Sequence, residues 1–595
     1  MLLIENYQGL DEGVISYASV ANLAGAAGAA AVEADGDERF LRFFPANNNT
    51  HNFFGNGTGQ LFNATVPCTI YMKFRLSSPN RVNTQLRVSS SNVFRVKFDT
   101  NAPFGNHPLT FWYDDALQAG DPDQPDQEVE RDVWYELWLY LDGQKLPLLS
   151  EYGTNTVGRY QAYIRGGAYT DITRITIDDD DPEKYVYNNS PVNMLDMFFQ
   201  GWDPNDIFHN DIYIAFKNGP HLAAPEQDRL WFNTPLGFSE WNYTDAAWKG
   251  RGKDTFEDGD HVGFYFRGGS VTITEDVTPG SIVAGWGCEL IGNRGLGGEY
   301  LRVIGGDCIL LGWSVDIDTE YVYIGGGADP DTGLAAAALE YRNGLLSFES
   351  EQEFHIGKGI ITLDGGRLRI RRRDNFETTL TNDILVTENG GSINTARESG
   401  NPINVFSGTI TLEGTLTLRS GAGGNNEETQ RYDGTVVLKN DVTIRGLGAF
   451  GNGKRPVFNG PITEEGGSYQ LTLSYAQSQS AGLIIRSVCT YTGGTVIEAS
   501  AGHIRVADGG RLGLGDIVVK AGGRIIFDGD DAVHSDSALI VEDAAAVVTI
   551  DGSITVPDMS YAGSPLAAGT YTTAQLEDAF GDPGVFSGGG TVTVA

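Results

Sequence analysis

A glycine pair followed by a strand-forming run recurs through the second half of this chain and limits what it can fold into. Gly365-Gly366-Arg367-Leu368, Gly390-Gly391-Ser392-Ile393, Gly493-Gly494-Thr495-Val496, Gly509-Gly510-Arg511-Leu512 and Gly522-Gly523-Arg524-Ile525 share the pattern. A glycine pair admits positive φ and a tight turn, and the aliphatic or β-branched residues behind it start an extended run. Short, irregularly spaced strands with a recurring turn predict a stacked β-coil, or solenoid. Thr435-Val436-Val437-Leu438 and Ile517-Val518-Val519 read as buried strand, and helical i, i+3, i+4 patterns are few. A solenoid is a rigid rod, a shape suited to stalks, adhesins and assembly units.

The chain is too long for one core, at 595 residues with 78 glycines, and two to four domains are expected. Its net charge of -37 argues against nucleic acid and anionic lipid as partners. The same acidity keeps a large β-protein soluble and supplies carboxylates for Ca²⁺. The four cysteines, Cys68, Cys288, Cys308 and Cys489, form no CxxC, so neither a structural zinc nor a redox site is expected. Cys288 and Cys308 lie 20 residues apart, about one coil, and stack on adjacent rungs either as a disulfide or as two buried thiols. No apolar run approaches the ~18 residues of a membrane span. In Met1-Leu2-Leu3-Ile4-Glu5-Asn6 the acid interrupts before a signal-peptide core forms, so an exported protein would have lost its leader.

All nine tryptophans lie at or before Trp313, which separates an aromatic-rich front from a Gly/Val/Thr-rich rear. In the front, Thr69-Ile70-Tyr71-Met72-Lys73-Phe74-Arg75-Leu76 alternates with period 2. Val133-Trp134-Tyr135-Glu136-Leu137-Trp138-Leu139-Tyr140-Leu141 is apolar on both faces, as a central strand would be. Asp142-Gly143 is expected to turn it into the next strand, Tyr160-Gln161-Ala162-Tyr163-Ile164-Arg165. These segments, with Asn210-Asp211-Ile212-Tyr213-Ile214-Ala215, resemble the concanavalin A-like lectin/glucanase jelly roll in its laminin-G-like form. The resemblance covers most of residues 1–225 and marks a fold more than a function.

Further along, Trp241-Asn242-Tyr243-Thr244-Asp245-Ala246-Ala247-Trp248 precedes Asp258-Gly259-Asp260 and the run Val262-Gly263-Phe264. Thr490-Tyr491-Thr492-Gly493-Gly494-Thr495-Val496-Ile497 follows much later. Together these resemble autotransporter-associated β-strand repeat proteins over most of 236–595. That resemblance implies a right-handed parallel β-helix exported to the cell exterior. The chain shows no C-terminal membrane barrel pattern, so it resembles passenger material alone. The expected fold class is all-β: a jelly-roll sandwich at 1–225, an entry segment at 226–275, a parallel β-helix at 276–555 and cap strands at 556–595.

Several residue groups are candidates for chemistry. Asp178-Asp179-Asp180-Asp181 and Asp114-Asp115 lie in acidic loops of the kind that hold Ca²⁺, although neither has EF-hand order. Solvated loop acids are the alternative. Glu136 has Trp134 and Trp138 at i±2 and could sit in a sugar groove. The Glu-x-Asp-x-x-Glu strand of a retaining glucanase is missing, which favours a binding module over a hydrolase. Among the aromatics, Trp112 and Trp202 are chosen for sugar stacking because turn or acidic residues flank them. Arg367, Arg369, Arg371 and Arg373 alternate on one strand, so all four share a face. Arginine captures carboxylate or sulfate in bidentate fashion, which suits an anionic glycan or a subunit contact. The alternative is ion pairing to rung neighbours such as Glu349, Glu351 and Glu353. The eight histidines are scattered, with no HExxH, and neither a GxSxG nor a P-loop is present.

The sequence therefore predicts an extracellular structural and adhesive protein in which the lectin-like front domain binds a polysaccharide, surface glycan or neighbouring protein and the rod presents it, with Ca²⁺ the one candidate cofactor. A homo-oligomer or filament is a further expectation, because a solenoid's open ends invite pairing. The alternative is a polysaccharide-degrading enzyme, either a β-helix lyase or a jelly-roll hydrolase.

Overall fold

The computed structural model describes the strands between residues 2 and 216, most of residues 229–499 and all of residues 502–595. The front is antiparallel and the rear parallel: a jelly-roll-like sandwich followed by a right-handed parallel β-helix.

The centre of the larger front sheet is the strand Cys68–Ser77, which pairs with Tyr135–Leu146, itself paired with Val157–Gly166. The period-2 pattern assigns these strands' side chains to two faces, both of them largely buried. Ile70, Met72, Phe74, Leu137, Leu139 and Ile164 are buried on one face. Tyr71, Trp138 and Tyr163 stand level with one another on the other face, beside Lys73, Glu136 and Arg165. Asp142-Gly143 does not end its strand. Pairing resumes at Leu146 after a shift in register, so these residues form an irregularity inside a longer strand.

The rear coils stack strands on three faces. The first face includes Ile361–Asp364, Ile384–Val386, Ile410–Leu412, Val436–Leu438 and Ile462–Glu464. The second face includes Arg367–Arg372, Gly391–Arg397 and Leu416–Ser420, and the third Glu377–Leu380, Ile403–Phe406, Glu428–Tyr432 and Arg455–Phe458. In the middle of the rod the coil length is 26 residues, as between Asp433 and Asn459, whose side chains hydrogen-bond across one rung. The first-face sheet ends at Ile462–Glu464, the other two continue toward the C-terminal end, and the parallel pair Ser553–Val556 and Thr591–Val594 belongs to a separate small sheet.

The glycine pairs turn the chain for two separate reasons. Gly365 has φ +73°, and a Cβ on Gly366 would overlap the Ile324 carbonyl oxygen of the rung before. One glycine supplies the left-handed turn and the other lets two rungs approach. One member of each of the other four pairs also has positive φ. The pairs do not share a corner: Arg367–Arg372 begins a second-face strand, whereas Arg524–Phe527 lies on the third face. The motif marks a turn, and the coil sets where the turn falls.

Inside the coil, like side chains stack rung upon rung. Phe406, Tyr432 and Phe458 form a column with ring centroids 5.0 and 4.8 Å apart and planes within 16° of parallel. Parallel in-register strands are about 4.8 Å apart, so rings at the same position must stack face to face. The Tyr432 hydroxyl donates to Gln430 Oε1 at 3.0 Å. Burial pushes its pKa far above the ordinary value.

Both ends of the rod are closed. At the start, Trp241 and Trp248 are fully buried, with centroids 5.1 Å apart, against Phe232, Phe256 and Phe264. Trp248–Lys249 runs antiparallel to the first coil strand, Leu230–Phe232. At the finish, Ser564–Pro565 folds back antiparallel on Met559–Tyr561. The helix Thr573–Phe580 buries Leu576 and packs Phe580 against Tyr561 and Phe586. Thr572 and Gln575 form a reciprocal capping box at its N-terminus, and Gly581 ends it at φ +75°.

One aromatic joins sandwich to coil. Leu230 and Phe232 face the coil interior, so Trp231 between them faces out, and its ring packs on Tyr71 and Trp138 of the sandwich sheet. Gly263 makes room, since a Cβ there would fall 2.5 Å from Trp231 Cζ3. Arg229 is buried beside it, and its Nη1 donates to the Val262 carbonyl at 2.6 Å and to Ser281 Oγ at 3.1 Å.

Candidate binding face

The outer surface of the first face changes character just past that junction. Tyr300–Ile304 and Tyr321–Gly325 are adjacent rungs, with Tyr300 level with Tyr321 and Arg302 level with Tyr323. Leu301, Val303, Val322 and Ile324 are buried in the coil. Alternation therefore puts Tyr300, Arg302, Tyr321 and Tyr323 outside.

The two tyrosines of the second rung differ. Tyr323 is clamped: its hydroxyl donates to Asp364 Oδ2, and the Arg302 guanidinium lies 5.0 Å from its ring centre. Burial first, and then the Asp364 carboxylate, push its pKa far above the ordinary value. Asp364 also accepts from Thr387 Oγ1 at 2.7 Å and from Asn389 Nδ2 at 2.6 Å. Tyr321 is 58% exposed, an unusual state for a large ring on a sheet face.

Beside Tyr321 opens a pocket of about 400 Å³ lined by Lys358, Gly359, Ile360, Thr381, Asn382 and Asp383. A Cβ on Gly359 would lie 3.5 Å from Tyr321 Cδ1, so the ring borders the pocket wall. Asn382, itself buried, holds that wall. Its Oδ1 accepts from the Ile356 amide at 2.8 Å, and its Nδ2 donates to the Gly357 and Gly359 carbonyls at 2.9 Å. The Lys358 amide donates to the Thr319 carbonyl at 2.8 Å. Ile360 is 44% exposed. A flat ring, an exposed aliphatic, an ammonium, a hydroxyl and a carboxylate on a braced surface match the needs of a sugar: an apolar face to stack on and polar groups for its hydroxyls.

The residues singled out from the sequence lie elsewhere. Trp112 is on the strand His107–Tyr113 of the smaller sandwich sheet, level with Arg95 and Gln118, and its side chain is outside the described residues. Trp202, Asp114, Asp115, Asp178, Asp179, Asp180, Asp181 and Arg373 also lie outside the described residues. Arg367, Arg369 and Arg371 share the second-face strand, where Arg367 is buried and Arg369 half-buried. Arg369 is level with Glu340 and Asn394. Glu353 sits on a third-face strand, level with Thr379, whereas Glu349 and Glu351 lie outside the described residues.

Glu136 is not in an open groove. It accepts from Tyr71 Oη at 2.8 Å and pairs with Arg165, whose guanidinium lies 5.6 Å from the ring centre of the fully buried Trp138. Burial pulls its pKa upward, but the Arg165 and Tyr71 hydrogen bonds outweigh that and hold it below the usual value. Such a carboxylate stays ionised and is a poor proton donor. Cys288 and Cys308 are direct register partners on neighbouring rungs, as their spacing predicts. Among the described residues, no three His, Cys, Asp or Glu side chains gather closely enough to hold a metal ion, and no helix is long and apolar enough to cross a membrane.

The tyrosine face was not singled out from the sequence. The signal was present, because Glu299-Tyr300-Leu301-Arg302-Val303 and Glu320-Tyr321-Val322-Tyr323-Ile324 repeat one alternating pattern at one coil's spacing. No protein-family profile matches the chain, and no curated protein is significantly similar to it.

Proposed function

We propose that this is an extracellular structural and adhesive protein whose coil presents a glycan-binding face centred on Tyr321. The exposed Tyr321 ring, in register with Tyr300 and bordering the pocket of Lys358 to Asp383, carries the proposal. A pyranose stacked on Tyr321 would turn its hydroxyls toward Thr381 and Asp383. Rungs about 4.8 Å apart would offer successive rings of a polymer lying along the rod successive side chains. The resemblance to exported repeat proteins supports an extracellular setting. The arginine strand, through Arg369 and Arg371, is a second candidate contact for anionic groups, and Trp112 and Trp202 are candidates on the sandwich. Ca²⁺ at Asp114-Asp115 or Asp178-Asp181 is proposed as a stabiliser of the front domain.

The test is co-sedimentation of the whole chain with insoluble neutral and anionic polysaccharides, with and without Ca²⁺, with soluble products assayed in the same tubes. Retention on one polymer, weakened about tenfold or more by Tyr321→Ala, is expected. Retention unchanged by Tyr321→Ala would place the contact elsewhere. New reducing ends or unsaturated uronate would replace the adhesive reading with an enzymatic one.

A further inference from the structure

Among the described residues, the large hydrophobic side chains that stand exposed all lie on one line of the rod. They are Tyr321, Ile360 and Val488, the last two each 44% exposed. Tyr321 and Ile360 are level on adjacent rungs, because Val322 pairs with Ile361. The register carries the same position on through Asp383, Thr409, Thr435 and Pro461. Val488 is level with Pro461, since the Thr490 amide donates to the Ile462 carbonyl one residue further along. Six rung spacings therefore separate Tyr321 from Val488, about 29 Å.

A second column runs beside the first, two residues along each strand, from Thr362 to Thr490. It consists of threonine, leucine and valine alone. The residues between the columns, from Ile361 to Cys489, are buried in the coil, so both columns face outward. They lie about 7 Å apart, close to the width of one sugar ring. Charged residues make up 20% of the chain, yet between Ile360 and Thr490 this strip carries one, Asp383. Asp383 Oδ1 already accepts from the Thr409 amide at 2.6 Å. Charge returns at the flanks, with Asp433 and Arg486 on one side and Glu413, Lys439 and Glu465 on the other. An uncharged strip rimmed by charged side chains has the make-up of an interaction surface. A polyanion would find no countercharge on it and would be repelled by a chain of net charge -37, and a polycation would find one carboxylate, already bonded.

We propose, building on the glycan-binding reading of Tyr321, that the strip is the track of a neutral, linear polysaccharide lying along the rod axis from Tyr321 to Val488. Ile360, Pro461, Val488 and the threonine methyl groups meet the apolar faces of successive sugar rings. The threonine hydroxyls both donate to and accept from the ring hydroxyls. Tyr321 and its pocket form one end of the track and Val488 the other.

Co-sedimentation of the whole chain tests it, with cellulose and mannan as neutral polymers and polygalacturonate as the anionic one. Soluble cello- and manno-oligosaccharides of increasing length then compete for the chain. Retention on a neutral polymer, weakened about tenfold in both Tyr321→Ala and Val488→Asp, is expected. Affinity for the oligosaccharides should climb until they reach about six units, one for each rung spacing, and then level off. Val488 is exposed, so its substitution spares the core, and Thr435→Glu repeats the test at mid-track. Retention that falls in Tyr321→Ala but in neither Val488→Asp nor Thr435→Glu would overturn the track and leave the Tyr321 reading standing. Retention on polygalacturonate alone would overturn the neutral ligand, and full affinity for a disaccharide would overturn the length. No retention on any of the three polymers would overturn both readings. Self-association in sedimentation velocity that Val488→Asp abolishes would assign the strip to a second copy of the chain instead.

Discussion

Replacing Tyr432 separates the two forces that hold the middle of the rod. Its ring is fully buried between Phe406 and Phe458, and its hydroxyl donates to Gln430. Gln430 in turn donates to Thr395 Oγ1 at 3.0 Å and to the Arg419 carbonyl, so the hydroxyl ties the ring stack to a buried polar chain. Tyr432→Phe keeps the stack and removes one hydrogen bond, leaving Gln430 Oε1 without its donor, at a cost of about 1–2 kcal/mol. Tyr432→Ala removes the ring as well. A buried aromatic truncated to alanine costs about 3–5 kcal/mol, and two ring pairs of about 0.5–1.5 kcal/mol each lie within that sum. The two variants should differ by about 2–3 kcal/mol. Hydrogen exchange across a urea series measures this segment by segment, which suits a protein whose coils contact only their neighbours. Loss of protection should centre on 403–406 and 455–458 and fade toward 517–519. Equal costs for Phe and Ala would refute the claim that ring stacking dominates here. Uniform loss along the rod would refute nearest-neighbour coupling.

Two further predictions concern the sandwich. Glu136 has a pKa lowered by folding, so its contribution to stability is complete above its unfolded value near 4.3 and disappears as pH falls through the lower folded value. Glu136→Gln should therefore destabilise the sandwich at pH 7 by about 1 kcal/mol, a figure kept small because Arg165 is well exposed, and the gap from wild type should close in thermal melts below pH 4. A constant gap at all pH values would sink the ion-pair account. Trp231→Ala removes the buried ring between sandwich and coil and should split one calorimetric transition into two, at a cost of about 3–4 kcal/mol to the junction. An unchanged single transition would show that Trp231 does not couple them.

Much of the architecture was legible because it rests on local rules. Period-2 alternation in Thr69 to Leu76 told which side chains share a face, although Thr69 and Tyr71 on the second face are buried as well, and the glycine pairs marked turns because few other residues take positive φ or permit such close approach. Asp142-Gly143 misled because the same dipeptide serves a hairpin or an irregularity within a strand, and pairing with Val157–Gly166 decides which. The proposed binding face was harder to see. Tyr321 and Tyr323 lie two residues apart with the same outward direction, yet one is clamped by Asp364, 41 residues further on, and the other left bare. That difference arises only when the coils stack.

The register of the coils also bears on how the protein would carry load. Strands lie across the rod axis and their hydrogen bonds run along it, so tension between the two ends opens one rung before loading the next. A freed coil of 26 residues extends to about 9 nm, whereas it occupied about 0.5 nm of the stack. Under pull, the rod would lengthen in steps of one coil, lower its tension at each step and rewind by the same register when released. It would act as a spool of cord between whatever its two capped ends are fastened to.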